Sequence, residues 1–199
     1  MHASERSFRS LFWALALTGL ALDLGTKYAA FSLLEPGPAG RIEVVPKMFS
    51  LFRQVQLNQG ALFGVGNTPE TGQIANIIFA VVSGVAVAAI GWWSFRPTVA
   101  RDRLLSMSLG LILGGAAGNL YDRVLLGGVR DFLWVYYERG PEDYPFNWPV
   151  FNIADACLVI GAILLMLQAF LNKPEKRAAP QTSTAATLPG SPQVSSSGS

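Results

Sequence analysis

Charge is scarce in this chain. Asp, Glu, Lys and Arg supply 14% of its 199 residues, against roughly 25% in soluble domains. With 51% hydrophobic residues and a mean hydropathy of +0.35, an ordinary soluble domain is disfavoured and a membrane protein expected. Cysteine is nearly absent: Cys157 stands alone inside an apolar run, which excludes an intramolecular disulfide and reads as small apolar packing. The single histidine, His2, lies at the terminus, so a Ser-His-Asp triad, a Cys-His pair and a His-rich metal site lack their material. No metal and no organic cofactor is implied. The net charge is only +2 and the basic residues are scattered, so a nucleic-acid footprint is not expected.

What the chain has instead is long apolar runs. A membrane-spanning helix needs about 20 apolar residues, and runs of that order lie at about 11–34, 74–95, 104–123 and 150–171. A cleavable signal peptide is the rival reading of the first run, but its apolar pattern continues past Asp23 and Lys27, as a retained span requires. The expected fold is an α-helical membrane protein with four transmembrane helices. Arg6, Arg9, Arg96, Arg101, Arg103, Lys173, Lys176 and Arg177 flank one side, and Arg41, Lys47, Arg53, Arg123, Arg130 and Arg139 the other. That bias places both termini in the cytoplasm and the polar loops outside.

Between the first two runs, residues 41–66 alternate and are rich in Val, Phe and Leu, which predicts a small extracytoplasmic β-sheet. An aromatic loop, including EDYPFNWP, separates the third and fourth runs. Residues 1–173 are expected to form the membrane domain. Residues 174–199, rich in Ala, Ser, Thr, Pro and Gly, read as a disordered cytoplasmic tail.

Several polar residues stand where lipid makes them costly. Asp23 and Lys27, four apart, share a helical face and can pair, either to neutralise each other in the packing or to line a cleft. Asn58 opens NQGALFG, where Gly60 and Gly64 mark tight backbone. Asn119, Asp122 and Arg123 close the third run, with Asp122 and Arg123 read as a structural pair and Arg123 and Asn119 as cleft wall. Asp131 follows a Gly-Gly turn, and Asp155 begins the fourth run with Asn152 on the same face. Taken singly, each aspartate also fits a bland role, Asp131 as a loop acid and Asp155 as a helix-start acid. Brought together in a low-dielectric site, they would hold about one proton between them near neutral pH. The ionised partner could then draw a proton from water while the neutral one protonates a peptide carbonyl.

DLGTK at Asp23, NQGALFG at Asn58, GGAAGNLYDR at Gly114, VRDF at Val129 and FNIADA at Phe151 together resemble the bacterial lipoprotein signal peptidases, also called signal peptidase II. The resemblance runs in order from about Leu11 to Leu171. It implies an aspartic intramembrane protease of the inner membrane that cuts prolipoproteins before a diacylglyceryl-modified cysteine. Asp131 and Asp155 then look like the catalytic dyad. Asn58, Gly60, Asn119, Arg123, Asn152 and Ala154 look like the substrate cleft, supported by Asp23, Lys27 and Asp122. The implied partners are lipidated prolipoproteins and membrane lipids, with inhibition by globomycin and myxovirescin. Leu62 stands where the family motif often has alanine, and Tyr121 varies within the GNLxDR pattern. EDYPFNWP reads as a flap over the cleft or an interfacial belt.

Two rivals remain. A small ion-coupled transporter could use the intramembrane acids, although they gather at one face rather than at the midplane. A non-catalytic scaffold could be built on the small-residue face of the third run.

Overall fold

The structure, a computed structural model, describes residues 7–60, 69–140 and 143–172. Its long helices are α1 (Arg9–Leu33), α2 (Pro69–Trp93), α4 (Arg103–Leu126) and α5 (Ile153–Leu171), with a short α3 (Pro97–Arg101) between α2 and α4. The apolar pattern does not reveal α3, a single turn begun by Pro97, where proline fits the first helical position. Arg96 is extended before it, which breaks the chain from α2.

Three helices are long and apolar enough to cross a membrane: Glu70–Trp93, Arg103–Leu126 and Ile153–Leu171. Helix α1 matches them in length, but Asp23 and Lys27 interrupt its apolar run. The bundle buries polar and small residues beside an apolar core of Phe12, Leu109 and Leu113, and is apolar without. Ile74, Ile78, Val81, Val82 and Val85 are all exposed on α2, while Asp23, Lys27, Asp122 and Asn152 are buried. That arrangement suits hydrocarbon as solvent, because lipid rewards apolar outer faces and leaves polar groups only the interior.

Helix α4 is the hub. Its most apolar window is 61% buried, against 11% for α2 and 17% for α5, and α1, α2 and α5 all pack on it. Glycines make the close approach possible. A Cβ at Gly114 would lie 2.6 Å from the Ala16 carbonyl oxygen of α1, and one at Gly115 only 2.5 Å from the Ala154 oxygen of α5. Both neighbours are backbone and cannot swing aside, which is the packing expected where helices associate in lipid through small residues. Gly115→Val is therefore expected to destabilise the folded protein in detergent by about 1–3 kcal/mol, read from its unfolding midpoint. An unchanged midpoint would mean that α5 does not seat on this face.

One end of the bundle is tied by polar contacts. Arg9 Nη2 donates to the Phe95 carbonyl (2.9 Å) and the Phe8 amide to the Ala100 carbonyl (2.7 Å). Asp102 caps α4 by accepting from the Leu105 amide, and also accepts from Gln168 (2.9 Å) and Asn172 (3.2 Å) at the end of α5. The starts of α1 and α4 and the ends of α2 and α5 therefore share one end, an up-and-down order.

At the other end lies a four-stranded antiparallel sheet in the order β1 (Ile42–Val45), β2 (Phe49–Leu51), β3 (Leu133–Tyr137), β4 (Phe146–Asn147). Alternation over 41–66 predicts the whole sheet within that stretch. Only β1 and β2 come from there, and the aromatic loop supplies the other half. LWVYY hides its alternation because its residues are apolar or aromatic on both faces. Residues 61–66 of the expected β-element, Leu62 and Gly64 among them, and the expected tail from 174 lie outside the described residues.

Candidate active site

Two isolated strand contacts extend the sheet toward the helices and pin the segment that carries Asp131. Asn58 and Val129 exchange both backbone hydrogen bonds (2.9 and 2.8 Å), as do Leu133 and Phe151 (2.8 and 2.9 Å). Asp131 sits midway between Val129 and Leu133 and is 2% exposed. Asn58 is thereby set beside it from one side. From the other come Asn152 and Asp155, one and four residues past Phe151.

Asn152 caps α5. Its side-chain oxygen accepts from the Asp155 amide (3.0 Å), and its own amide donates to Asp155 Oδ2 (3.1 Å), a reciprocal capping box. The same side chain turns its Nδ2 to Asp131 Oδ1 at 2.7 Å. A single residue therefore joins both carboxylates. Asn58 Nδ2 donates to the other oxygen of Asp131 (2.9 Å), and Asn119 Nδ2 to Asp155 Oδ1 (2.8 Å). Each of the four carboxylate oxygens accepts a hydrogen bond from an asparagine.

The asparagines are themselves held. Gly60, at φ 101°, donates its amide to Asn58 Oδ1 (2.8 Å), in the left-handed region that favours glycine. A side chain there would also strike the Phe79 ring. Asn119 Oδ1 accepts from Lys27 Nζ (3.0 Å) and from Asn152 Nδ2 (3.1 Å), which leaves its Nδ2 to face Asp155. Lys27 is fully buried and bridges Asp23 (2.8 Å) and Asp122 (3.2 Å). Asp23 in turn accepts from the Ala154 amide (2.9 Å), tying α1 to the first turn of α5.

The expected pairing of Asp122 with Arg123 does not form. Asp122 accepts instead from Arg130, through Nε (3.1 Å), Nη2 (2.7 Å) and the backbone amide (3.0 Å). One helical step separates Asp122 from Arg123, and residues so spaced do not face each other. Arg123 points the other way: its guanidinium lies over Phe79 (5.3 Å) and, among the described residues, hydrogen-bonds the Asn119 carbonyl (3.4 Å). Arg130 is thus a site-supporting residue absent from the sequence-based expectation. Its position next to Asp131 is the available signal, but a turn separates it from Asp122. Of the other expected site residues, Asp23, Lys27, Asn58, Gly60, Asn119, Asn152 and Ala154 all join the network.

Burial pushes the Asp131 carboxyl up to about 7. The charge of Asp155 adds to that push, while the hydrogen bonds from Asn58 and Asn152 oppose it. Two carboxylates, hydrogen-bonded through one asparagine, one of them pushed toward its protonated form, can act as an acid and a base toward one water. No group of three or more His, Cys, Asp or Glu able to hold a metal occurs among the described residues.

Apolar outer faces, a glycine-packed helical hub and two carboxylates held at one end define the class: a helical membrane enzyme. The solved structures agree. A bacterial membrane enzyme determined by the in meso method at 2.3 Å resolution covers 89% of this chain and is itself covered completely, with 26% identity and a TM-score of 0.65. Another, at 1.9 Å, shares the fold at a TM-score of 0.66 and 24% identity over 86% of this chain. The profile described as Signal peptidase (SPase) II matches residues 15–171. The lipoprotein signal peptidase of Rhodopirellula baltica is 38% identical over 173 residues, covering 81% of this chain and 72% of its own. That of Chlorobaculum tepidum is 36% identical over 160 residues, covering 79% and 93%. The chain belongs to the signal peptidase II family.

Proposed function

We propose that this chain is an aspartic endopeptidase of the membrane that removes signal peptides from prolipoproteins by cutting N-terminal to a diacylglyceryl-modified cysteine. The family membership supports the reaction. The observation that carries the residue assignment is Asn152, which hydrogen-bonds Asp131 with its side chain and Asp155 with its backbone.

In this reading Asp155 is the partner that accepts the proton from water. It sits in the first turn of α5, where the positive end of the helix dipole favours a negative charge. Asp131, buried and away from any helix start, carries the shared proton. Asp155 takes a proton from water, and the hydroxide oxygen bonds to the scissile carbonyl carbon. Asp131 gives its proton to the carbonyl oxygen, leaving a neutral gem-diol. The roles then reverse. Asp131 takes a hydroxyl proton back, the C–N bond breaks, and Asp155 delivers its proton to the leaving nitrogen. The product is a free acid on the signal peptide and an amine on the lipidated cysteine.

Asn58, Gly60, Asn119, Arg123, Asn152 and Ala154 form the cleft around that chemistry, and Asp23, Lys27 and Asp122 hold it in place. Residues 1–173 act as one peptidase unit with four spans, α1 included because its charges are internally paired. Both termini lie in the cytoplasm of a bacterial inner membrane, and the site faces the periplasm. The tie of α1, α2, α4 and α5 at the end carrying Arg9, Arg96 and Arg101 supports that orientation. Membrane lipids surround the spans, and globomycin and myxovirescin would compete for the cleft.

The test is cleavage of a purified diacylglyceryl-modified prolipoprotein in detergent, with the product identified by mass. Folded protein that leaves the substrate intact, where the Rhodopirellula baltica enzyme cuts it, would overturn the reading. The pH dependence has a defined sign. Asp131 must be protonated to act, so kcat/KM should fall as pH rises through about 7. Because the two acids titrate as a pair, the limb belongs to the dyad. A rate that climbs steadily to pH 9 would exclude a protonated Asp131.

A further inference from the structure

Beyond the dyad, the outer face carries a groove for which the mechanism has no use. Two adjoining cavities of about 360 and 530 Å³ share Phe52, Gln54, Pro149 and Val150 along their walls. The inner one reaches Asn58, which donates to Asp131. The outer one ends in an aromatic enclosure of Trp134, Tyr144 and Trp148, with Arg41 beside them. The groove thus begins at a residue that bonds Asp131 and runs out along the sheet.

We infer that this groove seats the stretch of substrate C-terminal to the scissile bond, in extended form, with one apolar or aromatic side chain in the enclosure. The inference rests on the peptidase reading and deepens it. Three observations carry it. First, the groove shares Asn58 with the site and is built by sheet and loop rather than by helix. The signal sequence is an apolar segment suited to the spans, so the chain that must leave toward water is the part beyond the cut. Second, Gln54 and Gln56 line the inner cavity and make no side-chain hydrogen bond among the described residues. Amide side chains there can pair with the backbone of a bound strand, whatever its sequence. Third, the chemistry of the outer end is settled by Arg41. Its guanidinium lies over Trp134 (4.9 Å) and Tyr136 (4.5 Å) and hydrogen-bonds Ser50, Tyr144, Tyr136, Glu43 and Glu138. With its single charge outweighed by those of two glutamates, the end offers ring faces and no site for a carboxylate.

The inner wall runs six chain steps from Phe52 to Asn58, so a substrate stretch of about six residues, at ~3.3 Å each when extended, is long enough to follow it. The experiment compares two diacylglyceryl-modified substrates, one ending just after the modified cysteine and one continuing about six residues with a phenylalanine near its end. Trp148, 55% exposed, can be replaced without disturbing the core. Trp148→Ala and Gln54→Ala are expected to raise KM for the long substrate by about three- to tenfold, leaving kcat and the short substrate unchanged. Equal loss on both substrates would overturn the inference and assign the aromatic end to anchoring at the membrane surface. No loss on either would also overturn it. Failure of the wild type to cut either substrate would overturn the peptidase reading itself, and this inference with it.

Discussion

Asp131→Asn is expected to slow signal-peptide removal by about three to four orders of magnitude, and Asp155→Asn by a similar factor. An amide can neither release nor take up the proton that each half of the reaction needs. The double variant should be no slower than either single one, because the pair acts as a unit and its loss is counted once. The folded state offers an independent check. Burial raises the Asp131 carboxyl from 3.8 to about 7, so the folded protein binds this proton more tightly than the unfolded chain. That contribution to stability is complete below about pH 4 and is lost as pH rises toward 7. Asp131→Asn removes the pH-dependent cost. Its unfolding midpoint in detergent should therefore gain on the wild type between pH 5 and pH 8. A variant that is dead at both pH values yet gains in this way has lost chemistry and kept its fold. Undiminished cleavage by either variant would remove that aspartate from the mechanism.

Lys27→Met carries the second large effect, on stability. Lys27 and its partners Asp23 and Asp122 are fully buried, and Arg130 is nearly so. Two positive and two negative groups cancel as they stand. Without the lysine, Asp23 keeps the Ala154 amide but loses its only cation among the described residues. Removing one partner of a buried pair typically costs about 3–5 kcal/mol. The variant should show that loss in detergent unfolding, and activity should fall with it, because Asn119 Oδ1 then keeps only its bond from Asn152 and is held less firmly toward Asp155. Adding Asp23→Asn to Lys27→Met should recover part of the stability by removing the orphaned charge. A Lys27→Met protein as stable as wild type would show that packing alone holds α1 in place.

These two effects also mark how much of the molecule is legible in its sequence. Asp23 and Lys27 announce their pairing by the four-residue spacing of one helix face. The asparagine at the start of α5 and the aspartate three residues on form a local motif that geometry completes. For Asp131 and Asp155 the only clue within the residues themselves is that two costly carboxylates stand near the membrane on a short tether. Other parts are not legible. The partnership of Asp122 with Arg130 crosses a Gly-Gly turn that no periodicity describes. The aromatic loop reads as a flap or a belt and not as sheet, because both faces of β3 are apolar or aromatic and alternation cannot reveal a strand. Helix α3 is too short for any periodic signal. Where a feature is built by nearby residues, the pattern shows it. Where it is built by chain reversal, the sequence names the residues and leaves their partners open.

The capping box at Asn152 has a consequence for how the two acids can move. The residue that starts α5 also bonds both carboxylates, so the helix start and the pair form one unit. Opening of that first turn would part the acids as well as shorten the helix, and helix ends are where local opening costs least. One turn of backbone thus fixes both where a helix begins and how far apart two carboxylates stand.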